Sequence, residues 1–224
     1  QREELVRLVK DILLANPEIM LEVQNALESR MDKIQAERMA VALKEHATEL
    51  FRPANSPVVG NAQGDLPVIE FFDYNCGYCK KAFNEVSSFI EKDKKARFIL
   101  KEFPILSPGS EQAARVALAA KLQGKYWEVH RALLESPGQA NEASALRVAE
   151  KVPGIDMARL KRDMASAEVK KEIDDTRALA AKMGIQGTPH FIVGDRIIPG
   201  APENLSELLA KHAADVRKDG CKVC

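Results

Sequence analysis

From Glu3 to Phe51 apolar residues recur in steps of three and four, at Leu5, Leu8 and Ile12 and then at Met20, Val23, Leu27, Met31 and Ile34. That is the period of an amphipathic helix. Asn16-Pro17 interrupts the run and predicts a short helix, then a break in which Asn16 caps a second helix beginning at Pro17 and running towards Leu50. No glycine precedes Gly60 and no aromatic residue precedes Phe51. Such a stretch has a stripe but little means of closing a core alone, so the stripe is expected to dock on the following domain or on copies of itself. Arg52 to Pro57 contains two prolines, each biasing its predecessor away from helix, and reads as a linker. Residues 1–51 are therefore expected to form a helical oligomerisation segment and 52–57 a linker.

Past the linker the period changes. Val58-Val59-Gly60 reads as a short edge strand, Pro67 to Asp73 as a buried central strand and Arg97 to Phe103 as a third. Between Ser110 and Met183 glycine is scarce and helical patterns return, over 113–122, 126–134, 142–152, 157–164 and 169–183. His190 to Val193, a tight turn at Gly194-Asp195 and Arg196 to Ile198 then predict two strands, and Leu205 to Val216 a closing helix. The pattern gives an α/β domain over 58–218 with a helical insertion at about 110–183, followed by a cysteine-containing tail at 219–224.

Composition narrows the class. The 224 residues are 46% hydrophobic and 29% charged, the balance of a chain that buries a sizeable core rather than a disordered one. No apolar run is long enough to cross a bilayer, so membrane insertion is not expected. The 33 basic and 33 acidic residues cancel, and no overall field recommends nucleic acid as a partner. The sequence opens at Gln1 without a charged-then-apolar leader, as a processed chain would. Its four cysteines form two C-x-x-C pairs, Cys76/Cys79 and Cys221/Cys224, unlike the dispersed staples of a small secreted scaffold.

Cys76-Gly77-Tyr78-Cys79 lies between the central strand and a helical pattern, which puts the first sulfur at a helix N-terminus. Free N–H groups and the helix dipole there favour the thiolate, the species that attacks a disulfide. Cys76 is thus expected to be an exposed nucleophile and Cys79 a partly buried resolving thiol. A zinc half-site completed by Cys221 and Cys224, or a structural disulfide, is the alternative; the strand-to-helix setting favours redox chemistry. Asp73, Tyr74 and Asn75 are expected to shape the turn, and Lys80 and Lys81 to lend charge to the thiolate. Cys221 and Cys224, beside Lys218 and Lys222, stay open between a local disulfide, a soft-metal site for copper(I) or zinc, and an inert pair. His46, His130 and His212 read as solvated or capping side chains, and Met20, Met31 and Met39 as packing residues.

The order strand, C-x-x-C, helix, followed much later by Gly187-Thr188-Pro189 opening a strand, resembles the thioredoxin fold, with Pro189 in the place of its cis-proline. The stretches Glu-Phe-Phe-Asp-Tyr-Asn-Cys-Gly-Tyr-Cys-Lys-Lys from Glu70 and Lys-Glu-Phe-Pro-Ile-Leu from Lys101, with the helical insertion, resemble the DsbA-like periplasmic thiol–disulfide oxidoreductases over roughly Val58 to Val216. The N-terminal extension with Cys-Gly-Tyr-Cys is similar to the suppressor-of-copper-sensitivity C family, whose extended members are trimeric disulfide isomerases. That resemblance implies a periplasmic homotrimer without a bound cofactor, acting on protein substrates with disulfides and kept reduced by an inner-membrane reductase. It implies that Thr188 and Pro189 hold the substrate chain, that Glu70 shuttles the proton of Cys79, and that Lys101 balances Glu70. Two other readings stand beside it, a dithiol oxidase and a copper-binding protein using its cysteine pairs. Tyr78 stands where strongly oxidising members carry histidine, which implies a less oxidising couple. His190 either approaches the site or caps its strand.

Overall fold

The computed structural model describes all 224 residues and divides into two compact units, Gln1–Ala42 and Leu43–Cys224. In the first, helix α1 (Arg2–Ala15) is followed by α2 (Glu18–Glu45), which runs on past the boundary. Asn16 does not cap forward as expected: its backbone N–H and its side-chain amide both donate to the Ile12 carbonyl, at 3.0 and 2.8 Å, and close α1 instead. Pro17 stays in the turn and α2 starts one residue later. The stripe read from the sequence faces solvent, with Leu5 61% and Leu27 60% exposed and no residue of α1 buried.

The second unit begins ahead of the expected boundary at 51. Helix α3 (Ala47–Phe51) carries the first aromatic residue of the chain, and Leu50 and Phe51 are fully buried. Arg97 donates to the Phe51 carbonyl at 2.5 Å and Lys101 to that of Glu49 at 3.0 Å, so α3 belongs to the α/β unit by packing and by hydrogen bonding. The stretch read as a linker is fastened as well: Pro57 accepts from the Leu100 N–H, and the Ser56 hydroxyl is buried.

Five strands, β1 (Val58–Gly60), β2 (Leu66–Phe72), β3 (Ala96–Glu102), β4 (His190–Val193) and β5 (Arg196–Pro199), form one sheet in the order β1-β3-β2-β4-β5. Only β2 and β3 pair in parallel; the remaining neighbours are antiparallel. Every residue of β2 is buried, because this central strand is covered on both faces. Helix α4 (Gly77–Lys92) connects β2 to β3, and α10 (Leu205–Asp219) follows β5. The insertion consists of α5 (Pro108–Lys121), α6 (Tyr126–Glu135), α7 (Glu142–Glu150), α8 (Met157–Asp163) and α9 (Ala167–Met183). Its centre is α5, capped by Ser107 with Pro108 in its first turn; the buried Ala113, Ala114, Ala117 and Ala120 let neighbouring helices approach closely. The α/β class with an inserted helical block is as the sequence predicts.

Register decides which charges meet. Phe71 pairs with Lys101 and Glu70 with Leu100, so Glu70 and Lys101 project from opposite faces. Lys101 instead donates to the Ser56 hydroxyl at 2.8 Å, and Ser56 donates to the Glu172 carboxylate at 2.5 Å. Burial pushes the Lys101 pKa down and the Glu172 pKa up, each softened by the other's charge. This bridge ties β3, α9 and the segment after α3 together. Lys101→Met leaves Glu172 buried without its cation and is expected to cost about 3 kcal/mol in urea unfolding, whereas Lys101→Met with Glu172→Met recovers most of that loss.

Candidate active site

The apolar run of β2 stops at Phe72, and the next three residues turn the chain into α4. Asp73 organises the turn: one carboxylate oxygen accepts from the Asn75 N–H at 2.7 Å, the other from the N–H groups of Ile105 and Leu106 at 2.9 and 3.0 Å. The Asn75 amide donates to the hydroxyls of Ser107 and Ser110 and to the Ala140 carbonyl, and accepts from the Ala140 N–H at 2.6 Å. The turn is thereby clasped to the start of α5 and to the loop before α7.

Cys76 takes the N-cap of α4 in extended conformation, and its sulfur accepts from the Cys79 N–H at 3.3 Å. The Thr188–Pro189 peptide is cis, and the Thr188 carbonyl accepts from the Cys76 thiol at 3.2 Å, so residues 112 positions apart meet at one sulfur. Cys76 and Cys79 are both free thiols. The expected exposure of Cys76 is not observed: only 5% of the residue reaches solvent, because helix N-terminus and Thr188 crowd its sulfur, and Cys79 is completely covered.

The electrostatics separate the two sulfurs. The hydrogen bond from the Cys79 thiol, helped by the Thr188 side chain and by the N–H groups of Cys79 and Tyr78, outweighs burial and lowers the Cys76 pKa to about 6. Cys79 moves the other way, its pKa raised by burial first and then by its bond to Cys76 and by the Glu70 charge. Glu70, wholly buried on β2, is raised to about 8 by burial and by the Cys76 thiolate.

The remaining residues singled out from the sequence divide. Lys101 does not balance Glu70; register sends it to the opposite face and into the Ser56–Glu172 bridge. Lys80 does not serve the thiolate either, since its ammonium donates to the carbonyls of Ser136 and Gly138, both at 2.8 Å, and pins α4 to the insertion. His190 opens β4 beside Pro189, edge-on to Phe71 on the face away from Glu70. Burial lowers its pKa to about 4, so it is neutral near pH 7. His130 is not a solvated side chain: it is 1% exposed, stacked on Tyr126 and Trp127, with its Nδ1 3.0 Å from the Tyr74 hydroxyl. Burial brings its pKa to about 3.

Sequence reasoning missed the centre to which that histidine belongs. Glu102, at the end of β3, accepts from the Tyr74 and Tyr126 hydroxyls at 2.8 and 2.7 Å, and burial raises its pKa well above the usual carboxylate range. The signal was an acid within an apolar strand, as at Glu70, together with Tyr126 and His130 four apart on one helix face. The cluster supports the turn from below, two residues before Cys76.

The second cysteine pair is joined as a disulfide, Cys221–Cys224. Lys222 N–H bonds to Asp195 in the β4–β5 turn, at the end of the sheet remote from Cys76, so the four cysteines do not assemble a zinc site. No group of three or more His, Cys, Asp or Glu side chains is placed to hold a metal ion.

Comparison with known proteins agrees with this geometry. Residues 1–32 match the family model of the copper resistance protein ScsC N-terminal domain. A thioredoxin-like oxidoreductase from Silicibacter pomeroyi is 46% identical, its structure superposing with a TM-score of 0.72 over 76% of this chain and 97% of that one. A linker-deletion variant of Proteus mirabilis ScsC is 25% identical, with a TM-score of 0.74 over 96% of each chain. Among curated relatives, a Salinispora tropica protein named Na(+)/H(+) antiporter NhaA 3 is 28% identical over 82% of this chain, which spans 29% of that protein's length. Residues 67–210 match the family model of the DSBA-like thioredoxin domain, more than half of the sequence, and the chain belongs to that family.

Proposed function

We propose that this thiol–disulfide oxidoreductase is a protein disulfide isomerase that works in the periplasm as a homotrimer, kept as a dithiol by a reductase in the inner membrane. The observation that carries the reading is the Cys76 sulfur at the start of α4, acidic at about pH 6, set against the Thr188 carbonyl and backed by a buried Cys79. At pH 7 such a sulfur favours the thiolate, whereas an ordinary thiol is only a few per cent ionised.

In the reaction Cys76 thiolate attacks a substrate disulfide, forms a mixed disulfide and releases one substrate sulfur as thiolate. The Thr188–Pro189 backbone holds the extended substrate beside it. Tyr78, Ile105 and Leu106 are 66%, 41% and 53% exposed around the turn and supply an apolar rim for unfolded segments. Shuffling ends when another substrate thiolate attacks the adduct and restores Cys76. When it does not, Cys79 loses its proton, attacks Cys76 and frees the substrate reduced.

Glu70 is suited to take that proton. Its pKa is high partly because Cys76 is charged; once Cys76 is bound in a mixed disulfide that charge is gone, and the carboxylate forms more readily at the step that needs a base. The exposed stripe of α1 and α2 and the match to the ScsC N-terminal domain support self-association, which places several thiolates around one substrate. Copper(I) bound by the Cys76/Cys79 thiols would occupy the same sulfurs that exchange with a substrate disulfide.

Three outcomes are expected. The iodoacetamide alkylation rate of reduced Cys76 should fall as pH drops through about 6, the direction of a lowered thiol pKa, whereas a rate that goes on rising up to pH 8 or 9 would contradict the acidic sulfur. Glu70→Gln should slow release of a Cys76 mixed disulfide by Cys79 on the order of 100-fold at pH 7 while leaving the first attack within a few-fold. The full chain should reactivate scrambled ribonuclease, and removal of Gln1–Ala42 should leave a folded, redox-active monomer with that activity largely lost. Oxidation of reduced ribonuclease without reshuffling would establish the oxidase reading instead, and an unchanged mass per particle in light scattering would remove the extension's role.

A further inference from the structure

The Cys221–Cys224 disulfide is a poor staple. It joins residues three apart, and the entropy a disulfide removes from the unfolded chain grows with the loop it closes, so this bridge restrains little. Both sulfur-bearing residues are partly exposed, yet the segment is not loose. Gly220 turns the chain out of α10 at φ +79°, Lys222 N–H bonds Asp195 at 3.2 Å, and the Arg52 guanidinium donates to the Cys224 carbonyl at 3.3 Å. A small disulfide is thus held in place on the surface, with Lys218, Lys222 and Arg52 as neighbouring cations.

Its hydrogen bonding repeats that of the active site. Cys221 Sγ accepts from the Cys224 N–H at 3.0 Å, as Cys76 Sγ accepts from the Cys79 N–H at 3.3 Å. A sulfur bonded in this way is the better leaving thiolate, so an incoming nucleophile is directed to the other sulfur, Cys224. The chain's own Cys76 is out of reach. Gly194, beside Asp195, bonds Pro67 at the start of β2, whereas Cys76 follows the end of that strand, ~17 Å away along it.

We propose that Cys221–Cys224 is a second exchangeable redox centre, which takes electrons from the Cys76/Cys79 dithiol of another copy of the chain. Cys76 thiolate of one copy attacks Cys224 Sγ of the other; the Cys221–Cys224 bond breaks, a Cys76–Cys224 disulfide forms, and Cys221 leaves as thiolate. Cys79, giving up its proton, then attacks Cys76 Sγ, the mixed disulfide breaks and Cys224 leaves. Two electrons have moved and the donor pair is a disulfide; the proton given up by Cys79 goes to one of the two released thiolates, and solvent protonates the other. The exchange rests on the nucleophilic reading of Cys76 and adds an internal acceptor to it.

The test mixes two full-length variants. One, Cys76→Ser with Cys79→Ser, carries only the oxidised Cys221–Cys224 pair; the other, Cys221→Ser with Cys224→Ser, carries only the reduced active site. Acid quenching, maleimide labelling and peptide mass spectrometry read the thiols of each. Labelled Cys221 and Cys224 are expected to form about 10-fold faster than with the same concentration of free cysteine. Adding Cys79→Ser to the donor should trap an adduct that maps to Cys76 and Cys224. A pair that stays closed, or opens no faster than with free cysteine, while the donor reduces oxidised glutathione, overturns this proposal alone. A donor that reduces neither overturns the nucleophilic reading with it, and an adduct through Cys221 overturns the assignment of the attacked sulfur.

Discussion

The molecule depends on how one sulfur is held. Cys76 sits where β2 ends and α4 begins, receives the Cys79 N–H at 3.3 Å and lies 3.2 Å from the Thr188 carbonyl. Hydrogen bonds to the sulfur favour its charged form and win against burial, whereas Cys79, one helical turn on, is held in its thiol form by burial first, then by its bond to Cys76 and by nearby negative charge. Two chemically identical side chains thereby acquire opposite acidities. The sheet exists, in functional terms, to bring the Thr188–Pro189 step to α4: β2 delivers the cysteine, and β4, its antiparallel neighbour, starts immediately after the proline.

Buried charge elsewhere is arranged so that it does not disturb this site by accident. Glu70 lies on the face towards α4, where it is felt by both cysteines. Lys101 is directed to the other face and satisfied by Ser56, the Glu49 carbonyl and, through Ser56, Glu172. Without a cation beside it Glu70 keeps a raised pKa, and this is what makes it responsive to the charge state of Cys76. A lysine at Lys101 pairing with Glu70 would have fixed the carboxylate ionised and removed that coupling.

The helical insertion is an integral part of the site rather than a decoration on a thioredoxin sheet. Asn75 reaches across to Ser107, Ser110 and Ala140, Lys80 to Ser136 and Gly138, and Tyr74 to Glu102 and His130. These bonds immobilise the turn from three directions, and rigid support of this kind holds the Cys76 sulfur in one geometry. On the opposite end of the sheet, the Cys221–Cys224 disulfide has the same sulfur-to-amide contact with far less around it.

Elements and chemistry types were legible in the sequence because they depend on local order. Period distinguished β2 and β3 from the alanine-rich helices, Cys76-Gly77-Tyr78-Cys79 marked the strand-to-helix turn, and Gly187-Thr188-Pro189 marked the step that meets it. What the sequence could not supply was the partner of each polar group. Asn16 has donors and acceptors for either helix, and only the packed turn makes it close α1. Lys101 lies one residue out of step with Glu70, and a single-residue register sends two side chains to opposite faces. His130 reads as a solvated or capping side chain, and Glu102 as one more strand residue, until α6 folds over β3 and leaves no water for them. Periodicity is a property of neighbours along the chain; pairing across 30 or 100 positions is set by the sheet and by what burial forbids.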